Sequence, residues 1–378
     1  MGTLKLFSQI GVIIFMFTVG MELNAQRLRE RANSAVVISH ASIMVPLLLG
    51  VILSLALYRP FAPEGTSFVA FALFVGVAMS ITAFPVLARI LEERGLSKSH
   101  LGTTALGCAA VDDVTAWCLL AVVVAVSKTE GLSTLVVPIL FSSLFVLVMI
   151  FLVKPQLEGL LKGAAKDERP FAVPVTIVLA FVFACAWFTE SIGIHALFGG
   201  FLAGAVMPSA PGFRSSLKEK LETLSSSLLL PLFFAFTGLR TQISHLNDWE
   251  SWLLGTTIIA VAIAGKLGGS TLAARWTGMG WSESFSIGAL MNTRGLVELV
   301  VLNIGYDLGI LSDRIFSIMV LMALVTTGMT GPLLFLIAKV ESRRRADQAL
   351  ESTRISTPGL NSGFSLGNSC SNENFNRD

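Results

Sequence analysis

Apolar runs long enough to cross a bilayer follow one another through almost the whole chain. A helix rising 1.5 Å per residue needs about 20 apolar residues to traverse about 30 Å of hydrocarbon. Runs of this kind lie at 4–23, 34–58, 67–91, 101–127, 134–153, 171–189, 193–208, 222–239, 251–274, 282–305 and 312–338. They predict eleven membrane helices in an all-α polytopic protein. Only Glu190, Ser191 and Ile192 part the sixth run from the seventh, which is short for a span. Composition agrees: 53% of the 378 residues are hydrophobic and 14% charged, against about 25% charged in a soluble domain. There is too little polar surface to cover a water-soluble globule. A net charge of +2, with no basic patch, argues against nucleic acid as a partner. Cys108, Cys118 and Cys185 lie inside apolar runs and Cys370 in a polar tail, without metal or CxxC spacing. No resident metal or cofactor is expected. The first apolar run, from Leu4, reads as a span rather than a signal peptide.

Basic residues fix an expected orientation. Alternate loops on one side collect Arg27, Arg29, Arg31, Arg89, Arg94, Lys98, Lys154, Lys162, Lys166, Arg169, Arg214, Lys218, Lys220, Arg275, Lys339 and Arg343 to Arg345. The other side holds Lys5, Arg59, Lys128, Arg240 and Arg314. Eighteen against five places the C-terminus in the cytoplasm. The transmembrane domain is read as 1–340. Residues 341–378 lose apolar periodicity, turn to Ser, Asn, Arg and Glu, and read as a disordered cytoplasmic tail.

Phe15-Met16-Phe17-Thr18-Val19-Gly20-Met21 recurs as Phe234-Ala235-Phe236-Thr237-Gly238-Leu239 with one residue dropped. The copies lie seven spans apart and so run in opposite directions, the pattern of an inverted-topology repeat in secondary transporters. A glycine-rich helix, Gly199 to Pro208, precedes the second copy and has no counterpart before the first. The chain is therefore expected to begin one or two helices late.

The chemistry concentrates in a few charges placed among apolar residues. A carboxylate at the centre of a membrane helix costs about 2.5 to 3.5 kcal/mol on the insertion scale, and Asp112 and Asp113 are two in succession. Neighbours on a helix point about 100° apart, so one can meet a solute while the other meets a protein partner. An intramembrane aspartyl protease needs two aspartates facing each other from different helices, which this pair cannot supply. Lys266 lies near mid-span in Ile263-Ala264-Gly265-Lys266-Leu267-Gly268-Gly269 and has Asp112 as an available counter-ion; snorkelling to an interface is the alternative. Arg294 and Glu298, at i and i+4, can satisfy one another, either as a structural ion pair or as part of a transport route. Two spans read as interrupted helices: Ser80 to Pro85, where Pro85 biases Phe84 toward extended backbone, and Met291 to Gly295, where Asn292 and Gly295 break an apolar run. Such breaks expose carbonyls and half-helix ends that can balance charge at the membrane middle. Thr82 is the expected non-carboxylate ligand.

Ser80-Ile81-Thr82-Ala83-Phe84-Pro85-Val86-Leu87-Ala88-Arg89-Ile90-Leu91, Ala109-Ala110-Val111-Asp112-Asp113-Val114 and Met291-Asn292-Thr293-Arg294-Gly295-Leu296-Val297-Glu298-Leu299 resemble, in order, signatures of the monovalent cation:proton antiporter-2 family. The resemblance extends over residues 1 to 340, in the branch with plant and fungal cation/proton exchangers and related bacterial antiporters. It implies an inverted-repeat sodium/proton-antiporter fold. In that fold a core with two crossed, discontinuous helices slides against a dimerisation panel, in a homodimer. It further implies that Asp113 binds the transported Na⁺ or K⁺ and H⁺, that Asp112 and Lys266 form a bridge broken during the cycle, and that Thr82 sits at the crossing. An Asp-Asp pair goes with electrogenic exchange in relatives, for which the membrane potential supplies about 2.3 kcal/mol per charge per 100 mV. Two departures stand out: the family's first one or two helices are expected before Leu4, and the nucleotide-binding domain of some potassium-efflux relatives has no counterpart here. The readings kept beside exchange are a partial or inactive antiporter and a cation-coupled solute carrier on the same fold.

Overall fold

The computed structural model describes residues 2–22, 32–128, 140–141, 143–165, 175–192, 195–208 and 213–356. Helices dominate because apolar side chains in long uninterrupted runs leave backbone polar groups with no partner but each other. In chain order they are α1 (Gly2–Glu22), α2 (Ala32–Phe61), α3 (Phe68–Ser80), α4 (Phe84–Glu93), α5 (His100–Lys128), α6 (Lys154–Ala165), α7 (Val175–Ser191), α8 (Ala196–Ala205), α9 (Phe213–Leu224), α10 (Leu230–Arg240), α11 (Trp249–Ile263), α12 (Gly269–Trp276), α13 (Trp281–Met291), α14 (Leu296–Asp307) and α15 (Asp313–Ser356). π-helical turns at Met149–Val153, Ser225–Leu229 and Ala264–Gly268 precede α6, α10 and α12.

Among the described residues, six helices are long and apolar enough to cross a membrane, or seven if the bent α13–α14 pair counts as one span. The sequence predicts eleven. The start of the 134–153 run, residues 134–139, lies outside the described residues, as does the start of 171–189. The 193–208 run yields only the ten-residue α8. The 222–239 run is divided by its π-turn.

Two groups of helices emerge from the packing. One consists of α1, α7, α8, α9 and α10; the other of α2, α3, α4, α5, α11, α12 and α13, with α14 against α3. In the first group α1 and α8 touch backbone to backbone. A Cβ on Gly204 would stand 2.0 Å from the Phe17 carbonyl, and one on Gly20 would stand 2.1 Å from that of Phe201. Small residues permit this approach, and van der Waals contact replaces the hydrophobic drive that lipid does not supply. The two copies of the internal repeat, at the ends of α1 and α10, fall on neighbouring helices of this group.

Residues 1–334 form one compact unit and 335–378 another. In the second, α15 continues to Ser356, past the end at 338 that apolarity predicts. Glu, Arg, Ala, Gln and Leu between 341 and 351 are strong helix formers and sustain the helix without an apolar face. Residues 357–378 of the expected disordered tail lie outside the described residues.

Candidate functional site: crossed helix breaks around buried charges

Both expected helix breaks are present and they meet. α3 stops at Ser80 and residues 81–83 are extended, with Ile81 at φ −70°, ψ 138° and Ala83 at φ −92°, ψ 97°. Phe84 and Pro85 do not form the break itself. They open α4, where Pro85 lies in the first turn. A proline there gives up an N–H that has no helical partner in any case, and its fixed φ suits the turn. It therefore starts the second half-helix rather than ending the first. In the other span Asn292 closes α13, Gly295 precedes α14, and the two halves bend by 43°. The Ala83 amide donates to the Thr293 carbonyl at 3.1 Å, which ties one break to the other.

Helix ends left at the crossing are matched by charge. Arg294 donates from Nη1 to the Ala78 carbonyl at 2.7 Å and from Nη2 to that of Met79 at 2.5 Å. Lys266 Nζ donates to the carbonyl of Ser80 and, at 3.1 Å, to that of Ser42. Two cations thus cover the carbonyl end of α3, the end that favours positive charge. Glu298 lies in the first turn of α14, where a helix favours negative charge. Its Oε2 accepts from Arg294 Nη1 at 3.1 Å.

Asp112 is the centre of the cluster. Its Oδ1 accepts from Ser39, and its Oδ2 accepts from Ser42 at 3.0 Å, Thr82 at 2.6 Å and Lys266 Nζ at 3.1 Å. The carboxylate therefore joins α2, the first break, α5 and the π-turn that carries Lys266. Thr82 Oγ1 also lies 3.2 Å from the Met291 carbonyl, at the end of α13. Asp113, the next residue of the unbroken α5, is 1% exposed. Asp112, Thr82, Lys266, Asn292, Arg294 and Glu298 are all at 0%. Asp112–Lys266 and Arg294–Glu298 are fully buried ion pairs, which meets the requirement that buried charge be compensated.

Ser39, Ser42 and the carbonyls of Ala78, Met79 and Ser80 are the partners that sequence reading does not single out. A serine in an apolar helix usually bonds back to its own turn, as Ser54 does to the Gly50 carbonyl. The available signal is the spacing of Ser39 and Ser42, which at i and i+3 share one face of α2. The carbonyls have no side-chain signature; only the position of the break makes them available. Chemically, the cluster offers carboxylate, hydroxyl and carbonyl oxygens beside a buried ammonium, a setting suited to binding a small cation or a proton.

Known proteins resemble this chain in sequence and in fold. The profile of the family described as sodium/hydrogen exchanger, transmembrane, matches residues 2–340. The Na(+)/H(+) antiporter NhaS4 of Synechocystis sp. is 43% identical over 331 residues, covering 87% of this chain and 81% of that protein. The K(+)/H(+) antiporter 1 of Saccharomyces cerevisiae is 35% identical, covering 88% of this chain and 39% of its own, so the chain spans about two fifths of that relative. In three dimensions the sodium proton antiporter MjNhaP1 of Methanocaldococcus jannaschii superposes with a TM-score of 0.63 at 14% identity, over 88% of this chain and 81% of that one. That likeness extends the agreement to the fold. The chain is an integral, multi-pass membrane protein, and it belongs to the sodium/hydrogen exchanger family.

Proposed function

We propose that the protein exchanges a monovalent cation, Na⁺ or K⁺, for H⁺ across a membrane by alternating access, with Asp113 as the binding carboxylate. The observation that carries this reading is the buried Asp112–Lys266 pair at the crossing of two broken helices, one residue from Asp113. A carboxylate in that position can hold either a proton or a cation, and competition between the two is what couples their opposite movements. The names of the two relatives supply the candidate cations.

In this mechanism Asp113 loses its proton and accepts the cation, with Thr82 Oγ1 as an additional oxygen ligand. Asp112 already accepts from three hydroxyls and one ammonium, so it serves as partner to Lys266. A cation arriving at Asp113 repels the ammonium and loosens that bridge. Lys266 has the carbonyls of Ser42 and Ser80 as alternative acceptors, so it can shift without losing every partner. Arg294 and Glu298 hold the crossing together through the cycle. Exchange is electrogenic, the protein works as a homodimer in the lipid bilayer, and its C-terminus is cytoplasmic. The basic loops support that orientation.

The test is a cation jump on purified protein in liposomes that contain a pH-sensitive dye. Na⁺ or K⁺ should drive proton movement that choline does not. Equal responses to all three cations would remove the exchange reading.

A further inference from the structure

A second charged network lies at the end of α14 remote from Glu298. Asp307, the last residue of α14, receives Lys5 Nζ of α1 on Oδ2 at 3.2 Å and Arg240 Nη2 of α10 on Oδ1 at 2.7 Å. Arg240 Nη1 donates to Asn303 Oδ1 at 2.9 Å, and Asn303 Nδ2 donates to Thr237 Oγ1 at 2.9 Å. The guanidinium also lies 4.1 Å from the ring centre of Phe236, on its own helix. Each polar link runs from α14 to α1 or α10, from the helix group that holds the buried charges to the other group. Beside the network a cavity of about 320 Å³ separates the two groups, lined by Ser8, Val12, Phe233, Phe236, Val300 and Asn303 among others.

We propose that Asp307 is a conformational latch. It is the shared carboxylate that holds α14 against α1 and α10 at this face, and it must release them for the cavity to open during the cycle. The inference rests on the exchange reading, because alternating exposure is what requires the two groups to part. Exposure suits the role: the side chains of Lys5 and Asp307 are 40% and 30% accessible, and that of Arg240 is 15% accessible. Water can replace each bond as it breaks, so such pairs are individually weak. A fully buried pair, by contrast, strands a charge when parted. Arg240 lies between Phe236 of its own helix and Tyr306 of α14, 4.1 and 5.1 Å from the two ring centres.

The latch is tested in a background with the native cysteines replaced. Ser8 is 2% exposed and lines the cavity, so Ser8→Cys reports its opening through the rate of reaction with a charged methanethiosulfonate in detergent. Asp307→Asn should raise that rate about fivefold, the equivalent of about 1 kcal/mol in the balance between closed and open forms. Lys5→Gln, which breaks one of the two pairs, should raise it less. Unchanged or slower labelling in both variants overturns the proposal. In the second arm, Lys5→Cys with Asp307→Cys is joined by a short bifunctional methanethiosulfonate and assayed in liposomes. Joining should arrest cation-driven proton flux, and reduction should restore it. Flux at the unjoined rate would overturn the latch while leaving the exchange reading intact. Absence of flux in wild type removes the exchange reading, and labelling still decides whether Asp307 holds the two groups together.

Discussion

Arg294 has two duties at the crossing, and separating them predicts an unusual order of stabilities. Replacing a buried ion pair with apolar residues of similar volume is often neutral or stabilising by about 1 to 4 kcal/mol, whereas removing one partner costs about 3 to 5 kcal/mol. Here Arg294 also donates to the Ala78 and Met79 carbonyls. Each unsatisfied buried acceptor costs about 1 to 3 kcal/mol. Arg294→Met therefore strands the Glu298 carboxylate and two carbonyls, and the summed cost, about 5 to 11 kcal/mol, is comparable with a domain's whole stability, about 5 to 15 kcal/mol. Glu298→Gln leaves the guanidinium its two carbonyl acceptors and should be the mildest change. The double variant Arg294→Met/Glu298→Leu removes the stranded charge but not the uncovered carbonyls, so it should fall between the two. Arg294→Lys should retain part of the loss, because one ammonium lacks the planar fork that reaches both carbonyls and Glu298. Thermal unfolding in detergent, followed by fluorescence-detected size exclusion, gives the rank order without assuming two-state behaviour. A double variant as stable as wild type would refute the claim that Arg294 closes the end of α3.

Three further outcomes follow from local geometry. Gly204→Leu drives a side chain into the Phe17 carbonyl, 2.0 Å from the position of its Cβ, and should abolish a monodisperse size-exclusion peak; normal folding would show that α1 and α8 are not in backbone contact. Pro85→Ala should change the unfolding temperature little, within about 1 kcal/mol, because the proline sits in the first turn of α4; a large loss would return it to the role of helix breaker. Asp248, which precedes α11, has its carboxyl held below the usual range, first by the Ser251 hydroxyl and also by Arg314. Because its folded pKa is depressed, its stabilisation is present above the unfolded value of about 3.9 and lost as pH falls through the folded one. The advantage of wild type over Asp248→Asn should therefore shrink only below about pH 4, and a gap independent of pH would contradict this.

The residues that chain-level reasoning finds most readily are those that are expensive where they stand. Asp112, Lys266, Arg294 and Glu298 are charges inside apolar runs, and their scarcity leaves few possible pairings. The structure puts Lys266 and Asp112 together at 3.1 Å. Backbone events are harder to read. Pro85 signals discontinuity but not its register, because proline is as compatible with a helix's first turn as it is hostile to its interior. The break consequently lies at 81–83, and that shift makes the carbonyls of Ala78, Met79 and Ser80 available. The π-turn around Lys266 has no compositional mark. Ser39 and Ser42 are hidden by their ordinariness, since a hydroxyl costs little in a membrane helix whether or not it serves a carboxylate. The number of spans is the least legible feature, because it depends on how short or bent elements such as α8 and α13–α14 are counted.

Asp113 is the proposed place of competition between cation and proton. Its most direct test compares cation-driven proton flux of wild type and Asp113→Asn, reconstituted in the same liposomes at equal amounts of monodisperse protein. Flux is expected in wild type and none in Asp113→Asn, while Asp307→Asn, altered far from the crossing, still exchanges. Full flux in Asp113→Asn would contradict it.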